Sequence, residues 1–390
     1  MDRPPTGRHF LQIPGPSNVP DRVLRAMARP TIDHRGPEFG EIGREVLDGL
    51  GWLLGTEHPV VLYPSSGTGA WEAALVNTMS PGDRVLMFET GHFGVEWAEV
   101  AARLGLIVDL VPGDWRHGVD PDLVEERLKG DAHQTYKAIG VLHNETSTGA
   151  VSRIPEIRNA MDRAGHPALL LVDTISSLGS MEYRHDEWGV DVTVGASQKG
   201  LMLPPGLAFL GVSDKAIEAS KTASLPRSYW EWTRIIAQSE KGFFPYTPAT
   251  NLIYALQESL KMFREQGRDL IFRRHARHGA ATRSAVLAWG LEIQCQDPRE
   301  FSSVLTGVRL PAGHDADRFR ALTLQRFNLS LGTGLGKLKG SMFRIGHLGD
   351  LNDLMLLATL SGVESGLAMA GVPIQRKGVE AATAYLESPD

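Results

Sequence analysis

Cysteine is the scarcest residue here: Cys295 is the only one in 390 positions. A lone thiol leaves no disulfide frame and no CxxC pair for a metal, and it fits a reducing, cytoplasmic setting. Long apolar runs are missing too, and none approaches the ~20 residues that a bilayer span requires. The opening "MDRPPTGRHFLQIPGPSNVP" is rich in proline and lacks the apolar stretch of a secretory signal. There is no Lys/Arg block, and the net charge is −6. That balance argues against nucleic acid or an anionic membrane as the main partner. No internal repeat or low-complexity segment is present. The histidines include His275 and His278 in "RRHARHG", but no third ligand clusters with them. The pair reads as a solvated helix face, and no metal is expected.

What is present is a regular alternation. "PVVLYP" (59–64), "RVLMFE" (84–89), "LIVDLVP" (106–112), "KAIGVLH" (137–143), "ALLLVD" (168–173), "DVTVGA" (191–196) and "LAFLGV" (207–212) read as strands. Helical patterns such as "GAWEAALVNTM" (69–79) and "IPEIRNAMDRAG" (154–165) lie between several of them. Nearly continuous apolar strands separated by helices predict a mainly parallel α/β sheet covered on both faces. A long helical region follows over 252–290. Then come "VLTGVRLP" (304–311), "DADRFRALTLQRF" (315–327), "SMFRIGHLG" (341–349) and a final helix from Asp350. The change of pattern predicts a smaller α+β unit, with the boundary near residue 265.

Ligands of open α/β sheets bind beyond the carboxyl ends of the strands, so the residues after each strand carry the functional information. After the first strand, Ser66, Gly67 and Thr68 open a helix and offer N–H groups and hydroxyls to an anion. A plain helix N-cap reads equally well there. After "KAIGVLH" comes the hydroxyl-rich "NETSTG" (144–149). Asp173 ends the apolar strand "ALLLV", as a buried ligand or as an Asx-turn or cap. Lys199 follows "DVTVGASQ", as a functional amine or as a surface loop lysine. One cofactor uses all four groups: pyridoxal 5′-phosphate, whose aldehyde takes a lysine, whose ring nitrogen takes a carboxylate and whose phosphate takes a cradle. Asp173 would keep the ring nitrogen protonated, and Lys199 would move the proton between the substrate Cα and C4′. Phe93 in "TGHFGVEW" would supply an aromatic face, or would be ordinary core.

Eight segments together resemble the class V (fold type I) pyridoxal phosphate aminotransferases, particularly the serine–, alanine– and aspartate–glyoxylate group. They are "IPGPSNVP" (13–20), "DHRGPEF" (33–39), "SSGTGAWEAAL" (65–75), "HNETSTG" (143–149), "VDTISSLGS" (172–180), "GASQKGLMLPPGL" (195–207), "PYTPA" (245–249) and "FRIGHLGD" (343–350). The resemblance implies a fold type I transferase with a seven-stranded large domain and a smaller α+β C-terminal domain. Residues 1–20 would form an arm over the active site, 21–265 the cofactor domain and 266–390 the small domain. It makes Lys199 the Schiff-base lysine and Asp173 the partner of the pyridine nitrogen. Ser66, Gly67, Thr68 and Gln198 become phosphate ligands, Thr146 a contact on the 3-hydroxyl side and Phe93 the stacking residue. Ile175 joins the cofactor-binding set. Thr247 would reach the phosphate of the other subunit, which implies a homodimer. Phe244 stands where relatives often carry a Tyr. Arg344 would clamp the substrate carboxylate, because a guanidinium fork reads that planar group bidentately. Gly15 and Pro16 would face the substrate from the arm.

The expected reaction moves an amino group from a small L-amino acid to glyoxylate, with serine favoured and alanine fitting the same space. The arm and the aromatics of "RSYWEW" (227–232) would narrow the pocket. Aspartate is the alternative donor and would need a second cation. Arg35, Arg227 and His347 are candidates, and the segment from Ser224 to Phe243 resembles the shorter version of aspartate–glyoxylate relatives. Other readings fit less well. "GTGLGKLKG" (332–340) lacks the spacing and the Ser/Thr of a P-loop and reads as a mobile glycine-rich loop. Cys295, expected on or beside a small-domain strand, is poorly suited to the nucleophile of the class V cysteine desulfurases. A nucleotide-binding α/β oxidoreductase would need a GxGxxG after an early strand, and none occurs.

Overall fold

The computed structural model describes residues 7–388. Residues 1–6 of the expected arm and 389–390 of the expected small domain lie outside that range. Strand β1 (Phe10–Gln12) comes first, followed by helices α1 (Asp21–Met27) and α2 (Pro37–Leu54). Next are β2 (Val60–Ser65), α3 (Gly67–Thr78), β3 (Arg84–Phe88), α4 (His92–Arg103), β4 (Ile107–Val111) and β5 (Tyr136–Leu142). A short ribbon, β6 (Asn144–Glu145) with β7 (Ala150–Val151), leads into β8 (Leu169–Asp173), β9 (Val192–Ala196) and β10 (Gly206–Val212).

The seven strands expected from the sequence form one sheet in the order β2-β10-β9-β8-β5-β3-β4. Only β10 runs antiparallel to its neighbours. Successive side chains alternate between two apolar layers, as a period of two requires. Val60, Leu62, Leu170 and Val172 enter one layer. Val61, Tyr63, Leu169 and Leu171 enter the other. Burial on both faces explains why these strands read as continuous apolar runs.

The second sheet contains β11 (Glu292–Ile293), β12 (Leu305–Arg309), β13 (Leu329–Thr333) and β14 (Met342–Gly346). Its order is β1-β13-β14-β12-β11, so the N-terminal strand lies parallel to β13 at the edge. The 22-residue helix Arg268–Trp289 joins the two cores. Its Ile271 packs into the core of the large sheet. Ala281, Ala285 and Trp289 pack into the core of the small sheet.

Four expectations change. The final helix starts at Asp353, not Asp350, because the Asn352 side chain caps it by accepting from the Met355 N–H at 2.9 Å. A further helix, Gly378–Glu387, follows it. His275 and His278 are buried, not solvated. His275 contacts the Ile271 carbonyl oxygen and accepts from the Gly349 N–H, and His278 meets Asp353 at 2.9 Å. The glycine-rich loop is packed in place: Leu338 lies against Trp115 and Met342, and Lys337 pairs with Glu89 of the large unit. Among the described residues, no helix is long and apolar enough to cross a membrane.

Candidate active site

The strand ends converge on one edge of the large sheet, and Lys199 sits in the loop after β9. Ser197 closes that loop, its hydroxyl donating to the Pro204 carbonyl at 2.8 Å and its N–H to Leu207 at 3.0 Å. The arm is stitched to the same loop, because Ser17 donates from its N–H to the Gln198 carbonyl (2.9 Å) and from its hydroxyl to the Lys199 carbonyl (2.7 Å). Gly15, at φ 109°, leaves no room for a side chain, since a Cβ would meet the Lys199 Cε at 2.7 Å. The Lys199 ammonium donates to the Pro14 carbonyl at 2.6 Å. Burial lowers the Lys199 pKa to about 8, with a further push from Arg344 and a weaker opposing pull from Asp173.

Asp173 ends β8 beside Val194 of β9 and is 4% exposed. Its Oδ1 accepts from the Ile175 N–H at 2.6 Å and its Oδ2 from the Trp71 indole N–H at 2.8 Å. Burial nevertheless pushes its pKa up to about 7, although both donors favour the charged form. Trp71 was missed in the sequence. A signal was there: a buried indole needs an acceptor, and position 71 lies one helical turn after Gly67.

Helix α3 begins at Gly67 with Ser66 as its N-cap, and the Ser66 side chain makes no capping bond. Among the described residues none accepts from the N–H groups of Gly67, Thr68 or Gly69, the donors that a helix start leaves free. A Cβ on Gly67 would collide with the Ile175 side chain, so glycine admits close packing between cradle and carboxylate loop. Ser66 and Thr68 are exposed. Among the described residues the buried Gln198 Oε1 has no hydrogen-bond partner.

Arg344, on β14, is buried and reaches across from the small sheet. Its Nη1 donates to the Thr146 carbonyl at 2.6 Å and its Nε to the Thr333 carbonyl at 2.8 Å. Burial lowers its pKa to about 10, so it stays cationic at neutral pH. Phe93, in the first turn of α4, is partly buried against the core. Glu145 is the second residue that the sequence reading overlooked; it is fully buried at the head of that helix.

Several expected residues stand apart. Phe244 is buried between Phe39 and Tyr246, and Thr247 is exposed. The Arg227 guanidinium donates to the carbonyls of Val76, Ala223 and Ser220. His347 is buried between Thr306 and the Ser303 carbonyl, and burial drives its pKa well below the ordinary value. It is therefore neutral, whereas the Arg227 Nε is buried with no partner among the described residues. Arg35 is exposed. Cys295 is buried just past β11, and burial raises its thiol to about 12, which makes it a poor nucleophile.

A buried amine, a buried carboxylate and the free N–H groups of a helix start fit pyridoxal phosphate in chemistry and charge. The family model for class-V aminotransferases matches residues 9–335, and the chain belongs to that family. It is an aminotransferase that uses pyridoxal phosphate. The chain is 44% identical to the serine–glyoxylate aminotransferase of Methylorubrum extorquens, over 98% of this chain and 97% of that one. It is 43% identical to the L-aspartate–glyoxylate aminotransferase of Paracoccus denitrificans, over 97% and 96%. The solved ureidoglycine–glyoxylate aminotransferase of Bacillus subtilis superposes with a TM-score of 0.91 at 28% identity, covering 98% of this chain and 99% of that one.

Proposed function

We propose that the protein transfers the amino group of a small L-amino acid, with serine the leading donor, to glyoxylate, giving glycine and a 2-oxo acid. The observation that carries this reading is the convergence of Lys199 and Asp173, after β9 and at the end of β8, with Arg344, which reaches from the small sheet to the Thr146 carbonyl. Bound pyridoxal phosphate would supply an aldehyde that captures amino groups and a ring that takes up electron density. Lys199 would hold that aldehyde and, as a neutral amine, would carry the proton that leaves the substrate Cα. A pKa of about 8 makes the neutral form accessible near physiological pH. Asp173 keeps the pyridine nitrogen protonated, and a cationic partner there returns its carboxyl to the charged state.

Ser66, Gly67, Thr68 and Gln198 would hold the phosphate, and Phe93, Ile175 and Thr146 would contact the ring and its 3-hydroxyl. Arg344 takes the α-carboxylate common to donor and acceptor, and Gly15 and Pro16 close the pocket beside Lys199. The reading includes a homodimer in which Thr247, exposed in the single chain, completes the partner's phosphate site. In this reading residues 1–20 are the arm, 21–265 the cofactor domain and 266–390 the small domain, and the enzyme works in the cytoplasm.

Aspartate is the second donor reading, favoured by the Paracoccus denitrificans relative. With His347 neutral, it depends on Arg35 or Arg227 among the three candidate cations. Initial rates with L-serine, L-alanine and L-aspartate against glyoxylate decide between them. Serine is expected to lead. An aspartate preference above about tenfold that disappears in Arg35→Ala or Arg227→Ala would overturn the serine assignment.

A further inference from the structure

We propose that Glu145 is a positioning residue that sets Phe93 and Arg344 together, so that one buried carboxylate aligns the cofactor ring with the substrate carboxylate. The inference rests on the roles proposed above for Phe93 and Arg344.

Helix α4 cannot cap itself, because its N-cap is Gly91. Its first donors are met from the β6 loop instead. His92 N–H donates to the Ser147 hydroxyl at 2.9 Å, Phe93 N–H to Glu145 Oε1 at 3.5 Å and Gly94 N–H to Oε2 at 3.1 Å. Oε1 also accepts from the Ser147 N–H (2.9 Å) and hydroxyl (2.6 Å). A Cβ on Gly91 would meet the Glu145 Cδ at 2.6 Å, so glycine is needed for this approach.

Every contact on the Glu145 carboxylate is a donor, and three come from the backbone. An anion at a helix N-terminus suits that arrangement. A glutamine would place its NH₂ against at least one N–H and leave it buried without an acceptor. The next residue, Thr146, gives its carbonyl to Arg344. One peptide step therefore separates the group that holds the first turn of α4 from the group that holds the guanidinium. The charge of Glu145 also acts on Arg344 and Asp173. Burial pushes the Glu145 carboxyl up and its N–H and O–H donors pull it down.

Glu145→Gln tests the link in holoenzyme and apoenzyme. In the apoenzyme, amide hydrogen exchange over 92–94 should accelerate. In the holoenzyme, half-saturation for amino donor and for glyoxylate should rise together by about tenfold, with the larger change in KM than in kcat. The circular dichroism of the bound cofactor should weaken as the ring loses its fixed partner. Arg344→Lys is the reference: it should raise both KM values and leave exchange at 92–94 unchanged. If Arg344→Lys leaves KM untouched, the site reading fails and this inference fails with it. If Arg344→Lys behaves as expected while Glu145→Gln accelerates exchange with normal KM and dichroism, Glu145 is only a helix cap and the inference alone is overturned. Should Glu145→Gln not fold, Ser147→Ala carries the test, with the same pattern expected at about threefold and no change as the contradicting result.

Discussion

Helices α3 and α4 both start at the carboxyl edge of the same sheet, and their first turns are treated in opposite ways. At α4 the protein supplies a carboxylate and a hydroxyl to three successive N–H groups. At α3 the N-cap serine makes no capping bond. The same contrast separates the two buried carboxylates. Glu145 takes four donor contacts and Asp173 two, and burial raises the pKa of both, that of Asp173 to about 7. Groups reserved for a ligand are left incompletely satisfied, and the groups that support them are completed internally. On the ligand side of that contrast, the free N–H groups at the α3 start stay available to an anion.

The sharpest way to break this contrast is to remove the charge that Asp173 reserves for the ligand. Asp173→Asn should keep cofactor binding and lower turnover by up to about 10⁴-fold, the loss seen when a comparable carboxylate is neutralised. Single-turnover rates check it, and a loss of only a few-fold would refute the role. Making α3 resemble α4 comes next. Thr68→Glu puts a carboxylate into the first turn at an exposed position. It should leave thermal stability unchanged or slightly raised, because an acid there interacts favourably with the helix start. Affinity of the apoenzyme for pyridoxal phosphate should fall by about 100-fold, since two anions then compete for one turn. Unchanged affinity in equilibrium dialysis would move the phosphate site elsewhere.

The smallest effect concerns pH. Lys199 reacts only as the neutral amine, and burial with Arg344 lowers its pKa to about 8. Capture of pyridoxal phosphate by the apoenzyme should therefore rise about tenfold per pH unit below 8 and level off above it. Removing the Arg344 charge withdraws a group that disfavours the ammonium, so Arg344→Gln should shift that midpoint upward. A midpoint that stays put or falls would contradict the coupling.

Much of this was legible in the sequence because the seven central strands are buried on both faces and their ends are marked by single residues. Asp173 and Lys199 interrupt apolar runs, and Ser66–Thr68 is a hydroxyl and glycine cluster before a helix. Arg344 carried meaning only through resemblance. The missed features depend on long-range partners. Strand β1 has three residues and pairs with Leu329–Leu331, more than 300 positions away. "RRHARH" reads as a polar helix face, yet Gly349 and Asp353 bury both imidazoles. "NETSTG" reads as a hydroxyl loop, and nothing local shows that its glutamate caps a helix 51 positions earlier in the chain. Trp71 likewise shows its role only once Asp173 is beside it.

Reduction of the purified holoenzyme with borohydride, followed by peptide mass mapping, tests the central claim most directly. The account predicts one pyridoxyl phosphate adduct per chain, on Lys199, with none formed in Lys199→Ala. An adduct on another lysine, or none on folded wild-type enzyme saturated with the cofactor, would contradict it.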